Sequence, residues 1–163
     1  MKLFSKFLLI FAAVVLLAQF SCENETLQFE EIAKYVVNTT ATGLGTVVAT
    51  METEEEQIEF LRNFITPIRF YPDSTGYFYI YNYDCINIAH ATQKDLEGEN
   101  LFQYQDSKGK FVIQELSKAS QNGGGFVEYF WQKPEDETEY RKMGYVEPIP
   151  GTDYFIGTGV YFQ

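Results

Sequence analysis

Lys142 sits in the run "EYRKMGYVEP", which alternates like a strand, with Gly144 two positions on. Strand side chains alternate between faces, so Tyr140, Lys142 and Gly144 share one. The final run, "YFIGTGVYFQ", sets Gly157 and Gly159 on one face, leaving space where bulky side chains would otherwise fill the core. Upstream, "GYFYIYN" places Tyr77, Tyr79 and Tyr81 on one side, with Phe78 and Ile80 on the other. In "GFVEYFWQK", Tyr129, Trp131 and Lys133 alternate with Glu128 and Phe130. A strand amine flanked by missing side chains and opposed by phenol hydroxyls suits a small anion. Lysine supplies charge, while tyrosine and tryptophan supply apolar walls with one donor each. Each charge-assisted hydrogen bond could contribute about 1.5–3 kcal/mol.

Taken singly, every one of these residues also has an ordinary structural use. A strand tyrosine can pack in the core with its hydroxyl at the rim, and a strand lysine can be an edge or solvent-facing charge. His90, the one histidine, follows Ile86 and Ile88 in alternation and can be a satisfied structural side chain. Arg69, between Ile68 and Phe70, can pair with one of many carboxylates. Catalysis is not expected. One histidine with no GxSxG, HExxH or CxxC offers neither a nucleophile–base pair nor a metal cluster. "GLG" at 43–45 and "GTG" at 157–159 lack the third glycine and the strand–turn–helix setting of a nucleotide fingerprint. No metal and no cofactor is expected.

The elements that must position these residues follow from periodicity. Residues 25–50 carry Ile32, Tyr35, Val36, Leu44, Val47, Val48 and Met51, one face of a long helix weakened by Gly43 and Gly45. "TEEE" at Thr53–Glu56 is a capping box, opening a second helix through Ile58, Leu61 and Ile65 that Thr66-Pro67 stops. Strand 76–82 and the run "INIAHA" make a hairpin, with turn residues at Tyr83 to Cys85. Phe111, Ile113, Leu116 and Ala119 approach helical spacing before Asn122-Gly123. Three more strands follow: Phe126 to Lys133, Tyr140 to Glu147 and Tyr154 to Phe162. The fold class is α+β, a five-stranded antiparallel sheet with helices against it. The long helix covers one face, and the other meets the central loops and the helix around 111–121.

"MKLFSKFLLIFAAVVLLAQFSC" has Lys2 and Lys6, a 14-residue apolar run from Phe7 to Phe20, then Ser21-Cys22. A spanning helix needs about 20 residues, so the run reads as an export signal over residues 1–22. Ser21-Cys22 resembles a bacterial lipoprotein cleavage site, with Cys22 the lipidated residue and a lipid anchor holding the protein at the membrane; ordinary signal cleavage nearby or an uncleaved anchor are the alternatives. With Cys22 lipidated, Cys85 has no disulfide partner. Net charge is −11, and loss of Lys2 and Lys6 leaves ten basic against 23 acidic residues, near −13. That balance argues against nucleic acid and anionic lipid headgroups.

Together, "IRFYPDSTGYFYIYNYD", "INIAHA", "LEGENL", "GGGFVEYFWQKP" and "RKMGYVEPIPGTDYFIGTGVY" closely resemble the single Cache domain, the PAS-like extracellular sensor of bacterial chemoreceptors and histidine kinases. The resemblance runs from about Phe29 to Tyr161 and implies one Cache domain over 23–163. It implies a pocket on the sheet for a small organic acid, commonly a two- to four-carbon carboxylate. By position the pocket maps onto Arg69, Tyr77, Tyr79, Tyr81, His90, Tyr129, Trp131 and Lys142. The chain departs from the family's pattern at Ala91 after His90, at "NYDCIN" in the first hairpin and at Gly144, which is expected to enlarge the pocket. A receptor would continue into a second membrane helix and a signalling domain. The expectation is therefore an exported, lipid-anchored binding protein without its own signalling domain, acting alone or beside a transporter or receptor. The competing expectation is an interaction module with a vestigial pocket.

Overall fold

The computed structural model describes residues 28–134 and 136–162, so the export signal and Cys22 lie outside the described residues. The chain divides into two compact units, Met1–Ile32 and Ala33–Gln163. Of the first, residues 28–32 are described and are helical. Among the described residues, no helix is long and apolar enough to cross a membrane.

Helix α1 occupies residues 28–48. Its buried stripe is Ala33, Val37, Ala41, Leu44 and Val48, which corrects the expected one. Tyr35 is 69% exposed and Val47 41%, because the helix is rotated to turn two alanines inward. Small side chains allow close approach, and a Cβ added at Gly45 would lie 2.6 Å from the Pro150 carbonyl oxygen. Helix α2, Glu54–Ile65, opens on the expected capping box. Thr53 Oγ1 accepts from the Glu56 amide at 3.2 Å, and Glu56 Oε2 accepts from the Thr53 amide at 3.3 Å. Its buried residues are Leu61 and Ile65, and the helix is capped at Thr66.

Strands β1 (Tyr79–Asn82), β2 (Asn87–His90), β3 (Gly125–Gln132), β4 (Glu139–Pro148) and β5 (Tyr154–Tyr161) form one sheet in the order β2-β1-β5-β4-β3, each neighbour antiparallel. Strand β1 starts later than the expected residue 76. Gly76 instead closes an isolated bridge with Phe70, whose ring lies where a Cβ would be. A bulge between Ile80 and Tyr81 bends β1 against β2. The hairpin turns at Cys85, a buried free thiol with φ of 65°. After β2 come a short 3-10 turn, Lys94–Leu96, and helix α3, Val112–Gln121. The loop before α3 is tied to the sheet through Asp106, which accepts from the amides of Lys108, Lys110 and Phe130.

The faces divide as expected. Asn38 on α1 donates to Glu147, and Tyr154 donates to Glu54 of α2, both on the side that also carries Ile156 and Thr158. Helix α3 lies on the opposite side, where a Cβ at Gly125 would meet Ala119 at 3.6 Å.

Candidate functional site

Register assembles the polar face. Tyr79 stands opposite Gly157 and His90, Lys142 opposite Tyr129 and Tyr161, and Gly144 opposite Gly159. The glycines do not leave empty space. A Cβ at Gly159 would sit 2.6 Å from Lys142 Cε, and one at Gly157 2.6 Å from the Tyr79 ring. One at Gly144 would sit 2.7 Å from the Tyr129 ring and 3.0 Å from Tyr79 Oη. The three glycines are thus seats for side chains that lie flat across the sheet, and Gly144 does not enlarge the pocket.

Lys142 is 1% exposed. Its Nζ donates to Tyr77 Oη at 2.9 Å and to Tyr161 Oη at 3.3 Å. It lies 4.1 Å from the Tyr77 ring centroid and 4.5 Å from that of Tyr161. None of the ion pairs among the described residues involves it. Burial holds the amine well below the ordinary lysine range. In its protonated form the amine has one N–H beyond the two phenol acceptors and no counter-ion, so the charged form calls for a negative partner with acceptor atoms.

His90 is fixed from behind. Its Nδ1 accepts the Gln93 amide at 2.9 Å and faces the Thr92 amide at 3.4 Å. The ring proton therefore resides on Nε2, the nitrogen on the far side of the ring. Burial first, then the positive charges of Lys142, Lys94 and Arg69, push its pKa down to about 3. His90 is thus a neutral N–H donor across the ordinary pH range.

Several other donors are already engaged. Trp131 Nε1 donates to Gln93 Oε1 at 2.8 Å, so the indole offers the site only an apolar surface. The Tyr161 hydroxyl donates to the Gln132 carbonyl, which leaves Tyr77 to donate to Tyr161 across 3.1 Å. Tyr79 and Tyr129 share a longer contact of 3.3 Å. The Tyr81 hydroxyl is buried beside the Asn87 amide without a hydrogen bond of normal geometry.

Between sheet and helix lies a cavity lined by Tyr79, Tyr81, His90, Tyr129, Trp131 and Lys142 from the strands, and by Val112, Ile113 and Leu116 from α3. It is small: a water molecule's centre can move through about 10 Å3 of it. That is about the space one water requires.

Six of the eight residues expected in a site thus share one cavity. Tyr77 stands one step back, as the acceptor that seats Lys142. Arg69 stands apart, its guanidinium donating to the carbonyls of Thr66, Ile68 and Ala91. Helix α3 closes the cavity on the face where the helix around 111–121 is expected, while its lining residue Val112, and Tyr161 and Gln93, are not among the expected site residues. Only Tyr161 had a readable signal, its position on the glycine face of the last strand.

The Cache domain family model matches residues 23–163. A sensor histidine kinase, MctS, from Rhizobium johnstonii is 38% identical over 88 residues, 54% of this chain and 19% of its own. The methyl-accepting chemotaxis protein McpP from Pseudomonas putida is 30% identical over 90 residues, 55% of this chain and 16% of its own. The matched stretch thus spans less than a fifth of either curated relative. Among solved structures, a methyl-accepting chemotaxis protein from Vibrio parahaemolyticus superposes with a TM-score of 0.75 at 29% identity, covering 85% of this chain and 92% of that one. A Cache chemosensory domain solved for the structural basis of its carboxylic acid recognition gives 0.75 at 27% identity, covering 86% and 98%.

Proposed function

Because the chain belongs to the Cache domain family, we propose that its cavity binds a small organic acid of two to four carbons on the outer side of the cell envelope. The observation that carries this is Lys142, a buried amine with phenol partners and no carboxylate. In this reading the carboxylate accepts from Lys142 Nζ and His90 Nε2. Tyr81 and Tyr129 supply further hydroxyls, and Trp131 with the α3 wall encloses the alkyl end. Tyr77 and Tyr161 hold the amine. Arg69 braces the carbonyls flanking the pocket rather than touching the acid. The carboxylic acid recognition of the Cache chemosensory domain supports the ligand class. The reading is one of binding, with no catalytic step assigned to any residue. The leader "MKLFSKFLLIFAAVVLLAQFSC" supports export and a lipid anchor on Cys22. A membrane transporter or receptor is the partner that would use the bound state.

One observation favours a second reading. The cavity is almost filled by its own side chains, as in an interaction module whose pocket is vestigial. A thermal-melt screen of residues 23–163 against short mono- and dicarboxylates, amino acids and amines separates the two. Ligand at 100 times its Kd adds about 2.7 kcal/mol, a shift of several degrees. A shift with acids, lost in Lys142→Met, supports the binding reading. A flat panel over a cooperative melt overturns it.

A further inference from the structure

Gln93 belongs to neither the sheet nor the cavity lining, yet it holds one ring nitrogen of each of the pocket's two heterocycles, His90 Nδ1 through its backbone and Trp131 Nε1 through its side chain. Its amide donates to His90 Nδ1 at 2.9 Å. Its side-chain Oε1 accepts from Trp131 Nε1 at 2.8 Å. Its Nε2 donates to Gln132 Oε1 at 3.2 Å. Gln132 in turn accepts the Tyr161 hydroxyl on its carbonyl, and Tyr161 accepts from Lys142. One loop residue between Ala91 and the Lys94–Leu96 turn therefore ties β2 to β3 on the far side of the cavity. It is also at the end of a chain of hydrogen bonds that reaches the buried amine.

We propose that Gln93 is the positioning residue that sets the donor pattern of this pocket, turning the His90 Nε2–H inward and the Trp131 N–H outward. The consequence is chemical. With the indole donor engaged and the imidazole donor free, the cavity offers donors at its His90 and Lys142 end and apolar surface at its Trp131 end. That polarity favours an anion with an apolar tail over an amine, whose protons would face those of His90 Nε2 and Lys142. If Gln93 released Trp131, the indole would be free to turn its N–H inward, and the apolar end of the pocket would be lost. The inference rests on the binding reading only for its ligand consequence; the hydrogen bonds themselves are a property of the empty domain.

His90 and Trp131 are the single histidine and single tryptophan of the chain, so each gives an unambiguous spectroscopic signal. The experiment compares wild type with Gln93→Leu and Gln93→Glu, in the domain from residue 23 onward. Wild type is expected to show one His90 tautomer, protonated at Nε2, in ligand-free 15N spectra. It should also show blue-shifted Trp131 emission. Gln93→Leu should red-shift that emission and weaken acetate binding roughly 3- to 10-fold, the worth of one hydrogen bond, while the melt stays cooperative and falls by no more than the loss of that bond. Gln93→Glu keeps an acceptor for Trp131 Nε1 and should restore the emission. Because the His90 bond comes from the Gln93 backbone, the tautomer should persist in Gln93→Leu; wild-type emission in that variant would overturn the inference, as would a His90 ring protonated at Nδ1 in wild type. A wild type that shows the expected spectra but no response to acetate counts against the binding reading and leaves the positioning role standing.

Discussion

At Lys142 the cost of burial is directly measurable as a pH dependence. The unfolded chain holds the proton up to the ordinary value of 10.5, while the folded chain, with burial lowering its affinity, releases it earlier. Between those two values the unfolded state binds more protons, so stability rises with pH toward 10.5 and is lower beneath. Buried phenols reverse the slope above about pH 10. Tyr77, pushed up to about 12 by burial, keeps its proton in the folded state while the unfolded chain loses it. Unfolding free energy should therefore peak near pH 10, and Lys142→Met should remove the rise but keep the fall; urea titrations from pH 7 to 11 read both limbs. A carboxylate beside the amine favours its charged form, so acetate binding in that window should take up a proton and weaken as pH rises. Calorimetry in two buffers of different ionisation enthalpy counts it. His90 acts on the acid side. Its folded value of about 3 lies below the ordinary 6.5, so the stability of the neutral buried ring is complete above 6.5 and is lost as pH falls toward 3. That loss is on the order of 5 kcal/mol. His90→Gln should flatten this limb relative to wild type, and an unchanged acid limb would contradict the buried neutral ring.

Among the elements, α1 provides a contrast between two glycines two residues apart, on opposite sides of the helix. A Cβ at Gly43 meets nothing within 4 Å, so Gly43→Ala should stabilise the domain by about 0.5–1 kcal/mol through helix propensity alone. A Cβ at Gly45 meets the Pro150 carbonyl at 2.6 Å, so Gly45→Ala should destabilise by about 1–3 kcal/mol. Denaturant melts that moved both in one direction would refute this packing. The capping box of α2 predicts a loss of about 1 kcal/mol, roughly 3 to 5 °C, for Thr53→Ala, with acetate binding unchanged because α2 lies across the sheet from the cavity. These elements also show what a sequence displays. Thr53 and Glu56, the strand alternation and the α3 spacing are local patterns, and these elements lie where their patterns do, apart from the later start of β1 at Tyr79. The stripe of α1 was misjudged because alanine carries no hydrophobic signal, and Ala33 and Ala41 are what face the sheet. Gly157 and Gly159 were legible as missing side chains, but which residue would lie over them depends on cross-strand register, which no local pattern encodes. Arg69 shows the same limit, since its carbonyl partners come from the end of α2 and the residue after β2. Gln93 left no trace at all: a loop glutamine acquires its role only when Trp131, 38 residues further along the chain, is brought beside it.

On the scale of the molecule, one sheet separates two unlike layers. The α1 and α2 side is packed by apolar stripes against Phe78, Ile80 and Ile156, all buried. The α3 side carries amine, imidazole and phenols, closed by a single helix of ten residues. Any acid larger than the present cavity must gain its room from that layer, because the opposing wall is sheet whose side chains are seated on glycine backbone. Size selection should therefore reside in Val112, Ile113 and Leu116, not in the charged end. Wild type should bind acetate best and lose affinity stepwise through propionate to butyrate. Leu116→Ala is expected to cost about 2–5 kcal/mol of stability. It should also shift the butyrate-to-acetate ratio roughly tenfold toward butyrate, since each methylene that finds apolar cover is worth about 0.8 kcal/mol. Calorimetric titration of the three acids into both proteins gives the ratio directly. Equal size profiles would mean that the acid, if it binds, enters somewhere other than between α3 and the sheet.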